Sequence, residues 1–119
     1  MASEDVIRLK LSTHNGLELL NPSGSDIREA LRGLGADNMY VLLERFDANS
    51  RPWAAGFAQV GFPLPGEEGW TVEYREGGEQ FQANTKDLAH IERLLSDYAT
   101  GRAGWKEGLD WQLFMTHDA

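Results

Sequence analysis

Residues 70–84 constrain the fold of this chain more than any other segment. Gly77 and Gly78 lie at its centre, and apolar and polar residues alternate on both sides of them. A two-residue glycine turn places Tyr74 opposite Phe81 and brings the apolar residues of both halves to one face. The other face then carries only polar side chains. The segment is therefore predicted to be an antiparallel β-hairpin whose apolar face another element must cover.

Four further segments are predicted strands, because each is apolar or alternates over the length of a strand. They are residues 5–11, 39–46, 53–62 and 109–116. The segment 39–46 is apolar on both faces, which predicts a central strand covered on both sides. In the segment 109–116, Leu109, Trp111, Leu113 and Met115 alternate with polar residues, which predicts a strand with one apolar face.

An additional hairpin near the N-terminus is left open. Asn15 and Gly16 favour a two-residue turn. That turn pairs Leu11 with Leu20 but sends Leu19 to the opposite face, so turn chemistry and hydrophobic pattern disagree.

Two segments repeat apolar residues at helical spacing. The first stripe comprises Ile27, Ala30, Leu31 and Leu34, and the second comprises Leu88, Ile91, Leu94, Leu95 and Tyr98. Ser25 is the predicted N-cap of the first helix, and Gly35 its end. Asn84 or Thr85 is the predicted N-cap of the second helix, and Gly101 its end.

These elements predict an α+β fold: an antiparallel sheet of five or six strands with two helices packed on one face. The chain has 119 residues, a usual length for one domain, so residues 1–119 are interpreted as a single domain. No window reaches the roughly 18 consecutive apolar residues that a membrane span needs. The N-terminus lacks the apolar region of a signal peptide, and we expect a cytoplasmic protein without a membrane partner.

Charge and composition exclude several function classes. The formal net charge is −8, from 11 basic and 19 acidic residues. Nucleic-acid-binding proteins normally carry the opposite sign, so direct binding of DNA or RNA is not expected. The chain has no cysteine, which removes disulfides, thiolate nucleophiles and zinc sites that need sulfur.

The residues that remain form no recognisable catalytic or metal-binding motif. The three histidines stand far apart at His14, His90 and His117, and His90 has no second ligand at helical spacing. There is no nucleophile elbow, and Gly33 and Gly35 belong to no phosphate-binding loop. We therefore predict no catalytic residue, no metal and no cofactor, and expect a protein that is not an enzyme.

The acidic residues around the central hairpin are a candidate binding surface. They are Glu67, Glu68, Glu73, Glu76 and Glu79, and Trp70 stands beside them. An acidic surface with an aromatic anchor suits a basic protein partner, which long-range attraction would steer to it. The alternative is that the glutamates keep an edge hairpin soluble and that Trp70 belongs to the core.

The second half of the chain resembles a known family. The resemblance lies in W-T-V-E-Y-R-E-G-G at residues 70–78, Y-A-T-G at 98–101 and L-D-W at 109–111. These motifs are similar to those of bacterial polymorphic-toxin immunity proteins of the first catalogued immunity family, over residues 69–112. The resemblance implies a protein that binds and inactivates a cognate secreted toxin, often a nuclease.

Two functions follow from the sequence. The first is a non-enzymatic protein-binding domain, resembling an immunity protein, whose partner is a basic protein such as a toxin. The alternative is a small enzyme or ligand-binding domain with a site between sheet and helices, near Trp53, Trp70 and His90.

Overall fold

Seven strands and two helices make up the part of the fold that the structure describes. The computed structural model describes residues 8–46 and 52–116, except for the side chains of residues 52–55. In chain order the elements are β1 (Leu9–Thr13), β2 (Glu18–Leu20), α1 (Gly24–Arg32), β3 (Tyr40–Phe46), β4 (Pro52–Gly61), β5 (Trp70–Glu76), β6 (Glu79–Thr85), α2 (Leu88–Thr100) and β7 (Gln112–Thr116). The strands form one antiparallel sheet in the order β2-β1-β3-β4-β5-β6-β7.

The predicted α+β class is confirmed, but the sheet has seven strands where five or six were predicted. The hairpin that was left open does form, with a different turn. Gly16 N–H donates to the Thr13 carbonyl and Thr13 N–H to the Leu17 carbonyl, both at 3.0 Å. Gly16 itself has a φ of 99°. This three-residue loop, a turn closed by a left-handed glycine, pairs Leu11 with Leu19 and returns Leu19 to the core face.

The central hairpin has the predicted register. Tyr74 pairs with Phe81, and Glu76 pairs with Glu79 at the turn. The Tyr74 and Phe81 rings stack with their centroids 5.1 Å apart. The prediction succeeded because the glycine turn and the alternation allow only one register.

α2 has its predicted stripe, and α1 has Ile27, Ala30 and Leu31 of its stripe, whereas Leu34 lies beyond the end of α1. The N-caps of both helices differ from the predicted ones. Ser23, not Ser25, caps α1 and forms a reciprocal pair with Asp26: its hydroxyl accepts from Asp26 N–H, and the carboxylate accepts from Ser23 N–H. The helix ends at Gly33 in a right-handed conformation, not at Gly35. Asp87 caps α2, because the predicted caps at residues 84–85 belong to β6. Gly101 ends α2 in the left-handed conformation, as predicted.

One core lies between the helices and one face of the sheet. A row of paired residues across four strands, Leu11, Leu43, Ala58 and Tyr74, is buried, and the neighbouring row contains Val41, Val60 and Val72. Ile27 and Leu31 of α1 and Ile91 and Leu95 of α2 pack against these rows.

The other face of the sheet is less covered than predicted. On β3 the core-facing Val41 and Leu43 are buried, whereas Tyr40 and Leu42 on the opposite face are only half-buried. The expectation that this strand is covered on both sides is therefore wrong. The strand predicted over residues 5–11 is described from Leu9 onward, and residues 5–7 lie outside the described residues.

Candidate protein-binding surface

The last strand of the sheet, β7, is the most exposed apolar segment of the described fold. Leu113 is 56%, Phe114 50% and Met115 44% exposed. The sequence predicted a strand from residue 109 with one apolar face. The strand instead begins at Gln112, and all five of its residues are exposed. β7 is exposed because of its position at the end of the sheet, since α2 contacts β4, which lies three strands away from β7.

A bulge interrupts the pairing of β7 with β6. Leu113 pairs with Phe81 and Met115 with Gln80, so Phe114 is an extra residue without a partner in the β6 register. Such a residue is left outside the ladder and bends its strand. As β7 is the terminal strand, its outer edge faces no other described strand.

Acidic residues lie at both ends of β7. Asp110, which precedes the strand, is exposed, and Glu79 pairs with Thr116 at the far end. β7 itself carries no charge. The three apolar side chains therefore lie between two carboxylates.

The predicted site residues of the hairpin turn lie beside this strand. Glu76 and Glu79 face each other, and Glu76 also binds Lys106 at 2.7 Å. The Lys106 ammonium lies over the rings of Tyr74 and Trp105, at 5.0 and 5.6 Å from their centroids. The hydrogen bond with Glu76 raises the pKa of Lys106 above its usual value. Lys106 thus offsets part of the like-charge repulsion at the turn.

The other predicted site residues lie elsewhere. Glu67 accepts a hydrogen bond from Leu64 N–H, and Glu68 forms an ion pair with Lys86 at 2.6 Å. Both belong to the loop before β5, a strand of roughly 20 Å that separates them from Glu76.

The side chains of Trp70 and Glu73 make contacts within the fold. Trp70 is half-buried against the core, and Glu73 accepts a hydrogen bond of 2.7 Å from the Gln80 amide. The six predicted residues therefore do not form one patch, and Glu76 and Glu79 are the two that adjoin β7.

An aromatic cluster supports this end of the sheet. It consists of Tyr74, Phe81, Tyr98, Trp105 and Trp111, whose rings contact one another edge-on or stacked at centroid distances of 4.7 to 6.5 Å. Trp111 Nε1–H also donates to the Lys106 carbonyl at 2.7 Å. Because these contacts hold the segment that leads into β7, the cluster positions the strand.

Sequence reasoning missed Trp105, which is buried although it lies in a connection. Periodicity cannot detect a single side chain that packs from a loop. The available signal was its composition: a tryptophan between Gly104 and Gly108, since a large apolar residue in a glycine-containing loop often anchors it. Both glycines have positive φ, at 84° and 93°.

Tyr98 contributes a buried hydroxyl to the aromatic cluster. The residue is 1% exposed, and no described group hydrogen-bonds to its hydroxyl. Burial raises the pKa of Tyr98 to about 12, although the nearby Arg45 guanidinium, 4.3 Å from the ring centroid, lowers it in part.

His90 contacts the connection between α2 and β7 in the described fold. Its Nε2 lies 3.2 Å from the Glu107 carbonyl, and a Cβ at position 108 would stand 2.5 Å from its ring. Gly108 is thus required for this approach. The adjoining cleft of about 430 Å³ is lined by His90, Asp97 and Trp105 among others, but not by Trp70. The side chain of Trp53 lies outside the described part of the chain.

No group of three or more metal-ligating side chains is found within residues 8–46 and 52–116. No described helix is long and apolar enough to cross a membrane. Comparisons with protein-family models, with curated proteins and with solved structures find no significant match for the chain.

Proposed function

We propose that this chain is a non-enzymatic protein-binding domain whose binding surface is β7 with the acids beside it. The observation that carries the proposal is the run of three exposed apolar side chains between Asp110 and Glu79. By register, Leu113 shares a face with Phe81 and Met115 shares one with Gln80, so β7 presents exposed apolar side chains on both faces of the sheet. Exposed apolar side chains are a feature of interaction sites, and protein interfaces combine an apolar centre with a polar rim.

Charge favours a basic protein as the partner. The net charge of −8 attracts such a partner over long range, and the acids at both ends of β7 orient it. The resemblance to immunity proteins suggests that the partner is a secreted toxin and that the domain neutralises it in the cytoplasm. A nuclease toxin suits this role, because an enzyme that binds polyanions carries a basic surface.

Co-expression with the product of the neighbouring gene tests the proposal, because immunity genes lie beside the genes of their toxins. We expect a stoichiometric complex to co-purify. Reversing Glu79 and Asp110 together to Lys should slow its association at least about tenfold at low salt. The effect should shrink as salt rises, since exposed charges are screened beyond a Debye length of about 8 Å at physiological ionic strength. Glu76 is not reversed, because it holds Lys106.

The matched control reverses two exposed acids on the other side of the molecule, Glu29 and Asp37. This double variant changes the net charge by the same amount and should leave most of the association rate intact. Equal slowing by both double variants would show that net charge alone acts and would remove β7 from the proposal. A chain that captures no neighbouring product would remove the immunity function.

A ligand-binding role is the second candidate, carried by the cleft beside His90, where Arg93 and Asp97 also lie. A saturable rise in melting temperature with one member of a metabolite panel would favour it. Substituting Arg93 by Ala should then abolish the rise.

A further inference from the structure

β7 combines an edge with which no other described strand pairs and exposed apolar side chains, and the two together indicate how a partner binds. We propose that β7 pairs with one extended segment of a basic protein, which becomes the eighth strand of the sheet. This inference rests on the proposed function and specifies its binding mode.

The backbone of β7 is the first argument. A terminal strand presents a row of N–H and C=O groups that no neighbour satisfies. Strand addition to such an edge derives its affinity from main-chain hydrogen bonds and its selectivity from side-chain contacts.

The distribution of charge identifies the occupant. β7 is uncharged over its five residues, roughly 16 Å, while Asp110 and Glu79 lie at its two ends. A complementary strand therefore has apolar residues in its centre, against Leu113 and Phe114, and Lys or Arg at both ends. Its length is at least that of β7.

A second copy of this chain fits the edge less well. Antiparallel pairing of two β7 strands brings the Asp110 end of one copy to the Glu79 end of the other, so like charges approach. Each copy also carries a net charge of −8, and long-range repulsion opposes their encounter. The same charges attract a basic strand.

A synthetic peptide tests the inference without knowledge of the natural partner. The probe has four alternating Val and Ile residues between two Lys at each end, with capped termini and a fluorophore. A second peptide carries N-methyl groups on all four central residues, so that it keeps its charge and apolar side chains but cannot donate hydrogen bonds from its four central amides. We expect the methylated peptide to bind at least about tenfold more weakly in fluorescence anisotropy.

Two matched variants locate the binding site. Phe114→Lys on β7 and Leu20→Lys on β2 both replace an exposed apolar residue by a cation. The first should weaken binding of the unmodified peptide at least about tenfold, and the second should leave it within about twofold. Hydrogen exchange of the free and peptide-bound protein should show new protection at the β7 amides.

Each result decides the inference. Equal binding of both peptides overturns strand addition, and the β7 surface stands as long as Phe114→Lys still weakens binding. If Phe114→Lys and Leu20→Lys act alike, or the unmodified peptide fails to bind, β7 is not the docking edge. A free protein that is dimeric, and that Phe114→Lys converts to a monomer, overturns the basic strand in favour of a second copy.

Discussion

The two edges of the sheet differ in how they meet solvent. β2 has three residues, and its Glu18 forms an ion pair with Lys10 of β1 at 3.6 Å. Asn21 follows it in the left-handed region, with a φ of 50°, and Pro22 comes next. Short length, charge and proline all protect an edge from further pairing.

β7 has few of these protections. It has five residues, no charge and no proline, and three of its side chains are large, apolar and exposed. Its bulge is the one protective feature it shows. Proteins normally avoid such an edge because it promotes aggregation. Among the described strands β7 is thus the less protected edge, a difference that the proposed binding function would account for.

The largest expected effect concerns the aromatic cluster that positions β7. Tyr74→Ala should lower the free energy of unfolding by about 3–5 kcal/mol, because a buried ring that contacts Phe81, Trp105 and Trp111 leaves a cavity. Leu19→Ala, on the core face of β2, should lower the free energy of unfolding by only about 1–2 kcal/mol, because that side chain is only partly buried. Urea titration measures both. Equal losses of free energy of unfolding in the two variants would show that packing supports the β2 and β7 edges of the sheet equally.

Alkaline pH should weaken the β7 end next. The folded-state pKa of Tyr98, at about 12, lies above its usual value of 10.0 because the ring is buried. The unfolded state therefore loses the phenol proton first, so stability that is complete below pH 10 falls as pH rises toward 12. The shift corresponds to about 3 kcal/mol.

Tyr98→Phe should remove this part of the pH dependence and leave stability at pH 7 unchanged or higher, because the hydroxyl it deletes has no described partner. Urea titrations at pH 7 and 11 compare the variant with the parent protein. A parent-like loss in Tyr98→Phe would assign the alkaline effect to other groups, such as Lys106 and Tyr74, whose pKa values are also raised.

The third prediction concerns Asn21, which follows β2 at the protected edge of the sheet. Asn21 Oδ1 accepts from Arg8 N–H at 2.7 Å and Leu9 N–H at 3.2 Å. Asn21→Ala should cost about 2 kcal/mol, because it loses this acceptor and places a Cβ at positive φ. Asn21→Gly keeps the backbone conformation and should cost less. If both variants cost the same, the side-chain acceptor accounts for the whole effect.

The smallest effect on stability is expected at β7 itself. Phe114→Lys should change the free energy of unfolding by no more than about 0.5 kcal/mol, since the side chain is half exposed and unpaired. The same change should slow aggregation at high protein concentration, measured by light scattering. Leu20→Lys at β2 should not slow aggregation. Equal slowing by both variants would mean that both edges of the sheet promote aggregation.

Much of the fold was predictable where local signals agreed. The hairpin around Gly77 and Gly78 was correct in register because its turn and its alternation admit one solution. The β1–β2 hairpin was ambiguous because Asn15 and Gly16 fit two loops of different length, and only packing of Leu19 against the core selects one. The N-cap at Ser23 was missed in favour of Ser25, since either serine could start the same helix.

The candidate surface was predictable only in part. Glu76 and Glu79 were placed together by the hairpin register, but the exposure of their neighbour β7 was not predicted. Alternation in a strand reports which side chains share a face, and it does not report whether anything covers that face. Lys106, 30 residues from Glu76 in sequence, was likewise beyond any local pattern.

Most of the elements, the α+β class, the register of the central hairpin and the acidic charge follow from the sequence, because they depend on neighbouring residues and on composition. Tertiary packing sets the strand order, which leaves β7 at the end of the sheet, and the contacts of Trp105 and Lys106 that support it. The two groups of features differ in the sequence distance over which the interactions that set them act. Turn chemistry and periodicity act over a few residues, whereas exposure of a strand depends on which distant elements pack over it.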